Sequence, residues 1–224
     1  MSTIPTARPG WLPPDDELRR FFGKSILYPY YRLRLVEYIA RLLPSSGRCT
    51  ILDVGAGDGS LGVALEVFRP QTRVLGLEVQ VREATRSGSR SVRFDGRRIP
   101  LRDGSFDIAL LSNVLHHAVE PRALLQEVRR VTRSRVIIKD HLTRGRLDDL
   151  LLTALDVLGN LRFGAQVSAT YLGVNEWVDL FHSVPEARVT RFDDLSFRRG
   201  VLEIVFPNRL ELIFTLELKG AATV

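Results

Sequence analysis

Apolar residues recur along the chain at two periods, and the change of period marks out its elements. Between residues 28 and 43, Leu35, Tyr38, Ile39, Leu42 and Leu43 fall at the spacing of one buried helix face. Pro44 and Gly47 close that segment. From Cys49 onward, short continuous apolar runs alternate with amphipathic stretches. Strands are expected over 50–54, 73–78, 92–95, 106–111 and 135–139. Helices are expected over 60–68, shortly after Gln80, and over 120–131 with Pro121 in its first turn. Strands without a polar face, alternating with helices, predict an α/β fold whose parallel sheet is covered on both sides.

After Asp140 the alternation stops. Residues 147–158 read as a longer amphipathic helix, 159–173 as a loop carrying Phe163 and Tyr171, and 175–181 as a short helix. Residues 187–195 and 209–218 read as two strands with no clear helix between them, which suggests an antiparallel pair closing one edge of the sheet. Residues 201–206 fit a strand or a helical turn equally well.

A chain of 224 residues is long for one small domain and short for two, so one domain with an appendage is expected. The boundaries read as an arm and cap helix over 1–46 and a main domain over 47–224, in which 142–185 form a lid. Hydrophobic residues at 45% and charged residues at 26% argue against disorder and against a membrane protein. No run reaches the roughly 18 to 20 apolar residues of a membrane span, and the first fourteen residues are polar and proline-bearing, so a cytoplasmic protein is expected. The single Cys49 supplies neither a disulfide nor a cysteine zinc site. The net charge of +6 comes from arginine, 29 against 3 lysines. Those arginines are scattered among acids and form no stripe, so no nucleic-acid partner is expected. The oligomeric state stays open between monomer and homodimer.

The chemistry begins where the first strand runs into Asp53-Val54-Gly55-Ala56-Gly57-Asp58-Gly59 and then a helix. Glycines there allow a tight turn and close approach of a ligand to the backbone N–H groups at a helix start, the logic of a nucleotide-binding turn. Glu78 ends the second strand 23 residues after Gly55, where a carboxylate can accept both hydroxyls of a ribose. The glycine spacing is not that of the dinucleotide fingerprint, and Asp53 and Asp58 flank the turn. A carboxylate about 4 Å from a phosphate charge costs on the order of 4 kcal/mol at an effective dielectric of about 20, so these acids disfavour a pyrophosphate and suit a cation. A ligand with a ribose, an adenine and a sulfonium centre is S-adenosyl-L-methionine, and Asp95 is a candidate acceptor for the adenine amino group.

The run Ile51 to Ser60, the acid Glu78, residues 94–100 (Phe-Asp-Gly-Arg-Arg-Ile-Pro) and residues 105–117 (Ser-Phe-Asp-Ile-Ala-Leu-Leu-Ser-Asn-Val-Leu-His-His) together resemble the class I S-adenosylmethionine-dependent methyltransferases. Within them the chain is most similar to the branch holding the ubiquinone and menaquinone C-methyltransferases and many natural-product enzymes. The resemblance covers about residues 50–140. It implies a Rossmann-like, mostly parallel seven-stranded sheet in the order 3-2-1-4-5-7-6, with strand 7 antiparallel, helices on both faces and a small helical lid. It also implies that Gly55, Ala56, Gly57, Asp58 and Gly59 lie under the methionine part, with Asp53 beside them. Glu78 and Val79 would take the ribose, Asp95 and Gly96 the adenine side, and Asn113 a place beside the transferable methyl. S-adenosyl-L-homocysteine would be the product.

In an open parallel sheet, ligands sit at the carboxyl ends of the strands, so residues 112–117 and 139–141 should face the methyl group. Methyl transfer mainly requires alignment, with a base only where an acidic proton must leave. His117, His141 and His116 are the candidate bases, followed by Asp140. Lys139 reads as an ion-pair partner or a contact for an anionic acceptor. His116, His117, Asp140 and His141 are competent metal ligands, but the aspartate-rich pattern of metal-dependent catechol enzymes is missing, and no metal is expected. No Asp/Asn-Pro-Pro-aromatic motif follows the fourth strand, and no cysteine lies near it, which argues against DNA-base methylation. A small-molecule acceptor, hydrophobic or aromatic, is expected against Tyr28, Tyr31, Phe163 and Tyr171, with Arg144, Arg146 and Arg162 as candidate anion contacts. Competing readings are an RNA or protein methyltransferase and a protein that binds the cofactor without methylating.

Overall fold

The computed structural model describes residues 27–80, 90–160, 169–194, 200, 203–204 and 207–219, with only the backbone described at 27–32, 158–160 and 194. Helix α1 (Leu27–Leu42) leads into β1 (Cys49–Val54), α2 (Ser60–Phe68), β2 (Thr72–Glu78), β3 (Ser91–Arg93) and β4 (Phe106–Ser112). Then follow α3 (Pro121–Val131), β5 (Thr132–His141), α4 (Arg146–Asn160), α5 (Val174–His182), β6 (Ala187–Asp194) and β7 (Glu211–Leu218). The strands form one sheet in the order β3-β2-β1-β4-β5-β7-β6, with β7 antiparallel to both its neighbours. Both the expected order and the terminal antiparallel pair are observed. No helix among the described residues is long and apolar enough to cross a membrane.

Alternation along the strands sorts side chains into two cores. Ile51, Ile108, Leu110, Ile137 and Ile213 face α1 and α2, while Leu52, Leu111, Val136, Ile138 and Phe214 face α3 and α5. Strands this apolar on both faces are what a parallel sheet between two helix layers requires. Helix α1 is one of those layers: Val36, Ile39 and Ala40 are fully buried. The Tyr38 hydroxyl also donates to Asp193 on β6. The cap helix expected within residues 1–46 is this helix, packed against one face of the sheet; residues 1–26 lie outside the described residues.

Most element ends fall within a residue or two of expectation, and three departures have local causes. Strand β3 stops at Arg93, short of the expected residue 95, because Asp95 Oδ1 accepts the N–H groups of Arg97 and Arg98, both at 2.8 Å, and turns the chain. Strand β5 reaches His141 because β7 pairs with it as far as His141 opposite Glu211. The expected strand start at 209 is instead a 3-10 turn, Asn208–Leu210, before β7. Of the expected lid, α5 belongs to the core: Trp177 is buried, its ring centroid lies 5.1 Å from that of Phe214, and its Nε1 donates to the His141 carbonyl at 3.1 Å. The helix expected after Gln80 lies outside the described residues, as do most of residues 201–206.

One ion pair is buried in the middle of the sheet. Lys139 on β5 is fully buried, and its Nζ lies 3.0 Å from Glu211 Oε1 on β7 while donating to Asn113 Oδ1 at 2.6 Å. This meets the ion-pair expectation for Lys139 and leaves its charge inside the protein. Lys139→Met alone is expected to cost about 3–5 kcal/mol by leaving Glu211 charged and buried, whereas Lys139→Met/Glu211→Leu should recover most of the loss. Urea denaturation of the two variants checks this, and an equal loss in both would sink the pairing.

Candidate active site

Residues 55–59 connect β1 to α2 through alternating left-handed glycines, with φ of 70° at Gly55, 60° at Gly57 and 72° at Gly59. At Gly55 a Cβ would come within 2.6 Å of Val114 Cγ2, so the turn after β4 packs directly on this loop. At Gly57 a Cβ would meet nothing within 4 Å: that side of the loop is open. Five donors of the loop and the helix start are engaged within the chain. Gly55 and Ala56 N–H donate to the Leu77 carbonyl, Gly59 N–H to the Ala56 carbonyl, Gly57 N–H to Glu78 Oε2 at 2.7 Å, and Ser60 N–H to Asp58 Oδ1 at 3.0 Å. Beside these engaged donors the loop carries the acidic side chains of Asp53, Asp58 and Glu78. Asp53 is buried and lines, with Ala56, Gly59 and Gly62, a small cleft behind the loop.

The neighbouring strand ends complete one rim. Glu78 Oε1 accepts the Val79 N–H at 3.0 Å, so each carboxylate oxygen holds one backbone donor and keeps lone-pair capacity for another. Gly96 lies beside Val79, where a Cβ would stand 3.3 Å from Val79 Cγ2, and Asp95 next to it is exposed. Asn113 follows β4 at φ 59°, held by its own N–H to the Lys139 carbonyl at 2.8 Å. Because β1 stands between β2 and β4 in the sheet, all of these residues fall at adjacent carboxyl ends, where the strand order reverses.

Beyond Asn113 the histidines gather. His116 is buried, with Nδ1 donating to Asp140 Oδ1 at 2.5 Å and Nε2 lying 3.6 Å from Asp156 Oδ2. His117 Nε2 is also 3.6 Å from Asp156 Oδ2, and its side chain is 37% exposed. The ring centroid of His141 is 4.9 Å from that of His116, and its Nδ1 faces the Leu210 carbonyl at 3.3 Å. Tyr171 stacks on His116 at 5.6 Å and donates its hydroxyl to Asp156 Oδ2 at 3.1 Å. Asp140, fully buried, accepts the Leu115 N–H at 2.9 Å and the His141 N–H at 2.8 Å, so it is a backbone clamp closed off from any ligand.

The structure thus brings Gly55–Gly59, Glu78, Val79, Asp95, Gly96 and Asn113 to one end of the sheet, and the three histidines and Tyr171 beside them. Tyr28 and Tyr31 sit on α1 where only the backbone is described; Arg162 and Phe163 lie outside the described residues. Arg144 and Arg146 are exposed. Sequence reasoning missed Asp156. It sits on α4 among other acids of an amphipathic helix, Asp148 and Asp149, and nothing in its spacing distinguishes it from a solvated face.

Residues 52–138 match the family model described as a methyltransferase domain. An uncharacterized methyltransferase of Mycobacterium sp. (strain JLS) is 40% identical over 92 residues, which are 39% of this chain and 36% of that protein. The match therefore spans little more than a third of the length of that relative. A possible histamine N-methyltransferase from Thermotoga maritima, 19% identical, superposes over 92% of this chain and 96% of its own with a TM-score of 0.60. The [4+2]-cyclase SpnF, 13% identical, superposes over 89% of this chain and 84% of its own with a TM-score of 0.62. Over residues 52–138 the chain is thus similar to methyltransferase domains, and its sheet is similar to that of solved S-adenosylmethionine-dependent methyltransferases. Those two structural likenesses speak for its fold alone.

Charge in the histidine cluster is unevenly distributed. Burial alone would push His116 down, but the Asp140 charge and hydrogen bond, reinforced by Asp156, hold its pKa up at about 9. His141 goes the other way, pushed down to about 4 by burial and by the charge of Lys139. Asp140 is held low against its burial by His116 and His141. A histidine whose pKa rises on folding stabilises the native state below its ordinary value of 6.5 and loses that contribution as pH climbs through 9. One held neutral by folding loses stability as pH falls below 6.5. From these two groups the domain is expected to be most stable near pH 6.5 and to lose on the order of 3 kcal/mol by pH 9 from His116. His116→Gln should flatten that alkaline limb. Denaturation of both proteins across the range in chelating buffer measures it; an unchanged limb in the variant would remove His116 as its source.

Proposed function

We propose that the chain binds S-adenosyl-L-methionine across the carboxyl ends of β1, β2 and β4 and transfers its methyl group to a small hydrophobic or aromatic acceptor of quinone or natural-product type. The reading rests on one observation above the others: a glycine loop open at Gly57, with the N–H groups of its three glycines engaged within the chain, beside the carboxylate of Glu78. A pyrophosphate needs free donors and tolerates acids poorly, whereas a ribose needs acceptors and a sulfonium favours nearby negative charge. The cofactor, when bound, supplies a methyl group already activated by its sulfonium charge.

The chain's own residues then orient and enclose. Glu78 offers its remaining lone pairs to the ribose hydroxyls, and Val79 with Gly96 walls the adenine side, where Asp95 is exposed. Asn113 is fixed by Lys139 from behind, so its position does not depend on the ligand. Lys139, buried in its pair with Glu211, has no charge to lend an acceptor, which favours an uncharged one. Tyr171 and the histidine rings form an aromatic wall, and His117 is the histidine of the three that is open to a bound acceptor.

Calorimetric titration with S-adenosyl-L-methionine, S-adenosyl-L-homocysteine and NAD tests the cofactor half. Micromolar binding of the first two with silence from NAD is expected; NAD binding in their place, or silence from all three, would overturn it. Glu78→Ala should weaken S-adenosyl-L-methionine by about 1.5–3 kcal/mol, the worth of hydrogen bonds lost from a charged group, with the fold intact. Gly57→Val should abolish binding, because valine both fills the open side and strains a left-handed backbone. Near-normal affinity in that variant would show that the ligand lies elsewhere.

A further inference from the structure

Three side chains on the acceptor side have the make-up of a metal site. His116 Nε2, His117 Nε2 and Asp156 Oδ2 lie within 4.8 Å of one another, with Asp156 Oδ2 3.6 Å from each nitrogen. Atoms so spaced share a centre about 2.1–2.4 Å from all three, close to the bond lengths of zinc to imidazole nitrogen and carboxylate oxygen. His116 is 3% exposed, and its Nε2 has no partner at hydrogen-bond distance among the described residues, although buried imidazole nitrogens are ordinarily satisfied. Its other nitrogen is held by Asp140 Oδ1 at 2.5 Å. A carboxylate on Nδ1 holds a proton there, so a metal ion displaces only the proton on Nε2, the usual support for a ligating histidine. The Tyr171 hydroxyl does the same for Asp156, donating to the oxygen that faces both histidines.

We propose that His116, His117 and Asp156 bind a divalent transition-metal ion of the zinc class, with Asp140 and Tyr171 as positioning residues. The sequence expectation of no metal rested on the missing aspartate-rich pattern, and Asp156, the third ligand, lies on α4, outside the segments that supplied the candidate ligands. Asp140 and His141, candidates on paper, are otherwise engaged: Asp140 by backbone N–H groups and His116, His141 by the Leu210 carbonyl. Charge also favours the ion. Two carboxylates, Asp140 and Asp156, flank His116, and a doubly charged cation offsets them more fully than one proton on the imidazole. Two histidines and one carboxylate leave further coordination positions open, and the exposed flank at His117 gives an oxygen ligand a way in. Under the methyl-transfer reading that oxygen is a hydroxyl of the acceptor, whose acidity the ion raises. Binding of the ion itself does not depend on that reading.

The full chain, stripped with EDTA and desalted, is titrated with Co2+ and followed by visible absorption, and Zn2+ uptake is counted by elemental analysis. One equivalent of Zn2+ and ligand-field bands from Co2+ are expected. His117→Ala and Asp156→Asn should each weaken binding at least 100-fold, and Asp140→Asn about 10- to 100-fold. His182→Ala, at the one histidine outside the cluster, should bind as the parent does. His117 is exposed enough that its variant retains the fold, which a thermal melt in the absence of S-adenosyl compounds verifies, keeping the result apart from the cofactor titration. Failure to take up a stoichiometric ion, or uptake that survives both His117→Ala and Asp156→Asn, overturns the proposal.

Discussion

A carboxylate sealed from water at the end of β5 governs the geometry of this domain. Asp140 receives the N–H groups of Val114, Leu115 and His141 and the Nδ1 proton of His116. An ionised carboxylate stripped of solvent costs several kcal/mol unless donors of this kind replace the water, so all four must be in place together. Their convergence locks the turn after β4 to the end of β5. Val114 is then pressed on Gly55, and Asn113 is held in a left-handed conformation over Lys139. The two halves of the cleft, glycine loop and histidine cluster, are thus set by one side chain that touches neither ligand.

What the sequence disclosed and what it hid divide along a physical line. The loop at residues 53–59, Glu78 and the strand alternation were legible because their structure is decided within a few residues, by glycine dihedrals and by apolar period. Asp156 was not, because its meaning comes from a contact with His116 and His117 across many residues of chain. Lys139 reads at first as a polar strand end; only its antiparallel neighbour β7, arriving from the C-terminal region with Glu211, makes it a core residue. Trp177 shows the same limit. Its segment has the amphipathic pattern of a surface lid, yet stacking on Phe214 and a hydrogen bond to His141 draw it into the core.

The glycine loop illustrates how a fold chooses among ligands without contacting them. A loop with free N–H groups is an anion trap, while one whose donors are engaged at Leu77, Ala56, Asp58 and Glu78 is a rigid, slightly acidic shelf. The same strand-turn-helix therefore serves different cofactors according to where its donors are directed.

The position of β7 has a consequence for how the chain is made. This strand is inserted between β5 and β6, although it follows both of them in the chain. Until residue 211 emerges, Lys139 lacks its counter-ion and the sheet has a gap beside β5. A nascent chain therefore cannot complete the cleft, and the order of synthesis itself delays the folded site until β7 has been made.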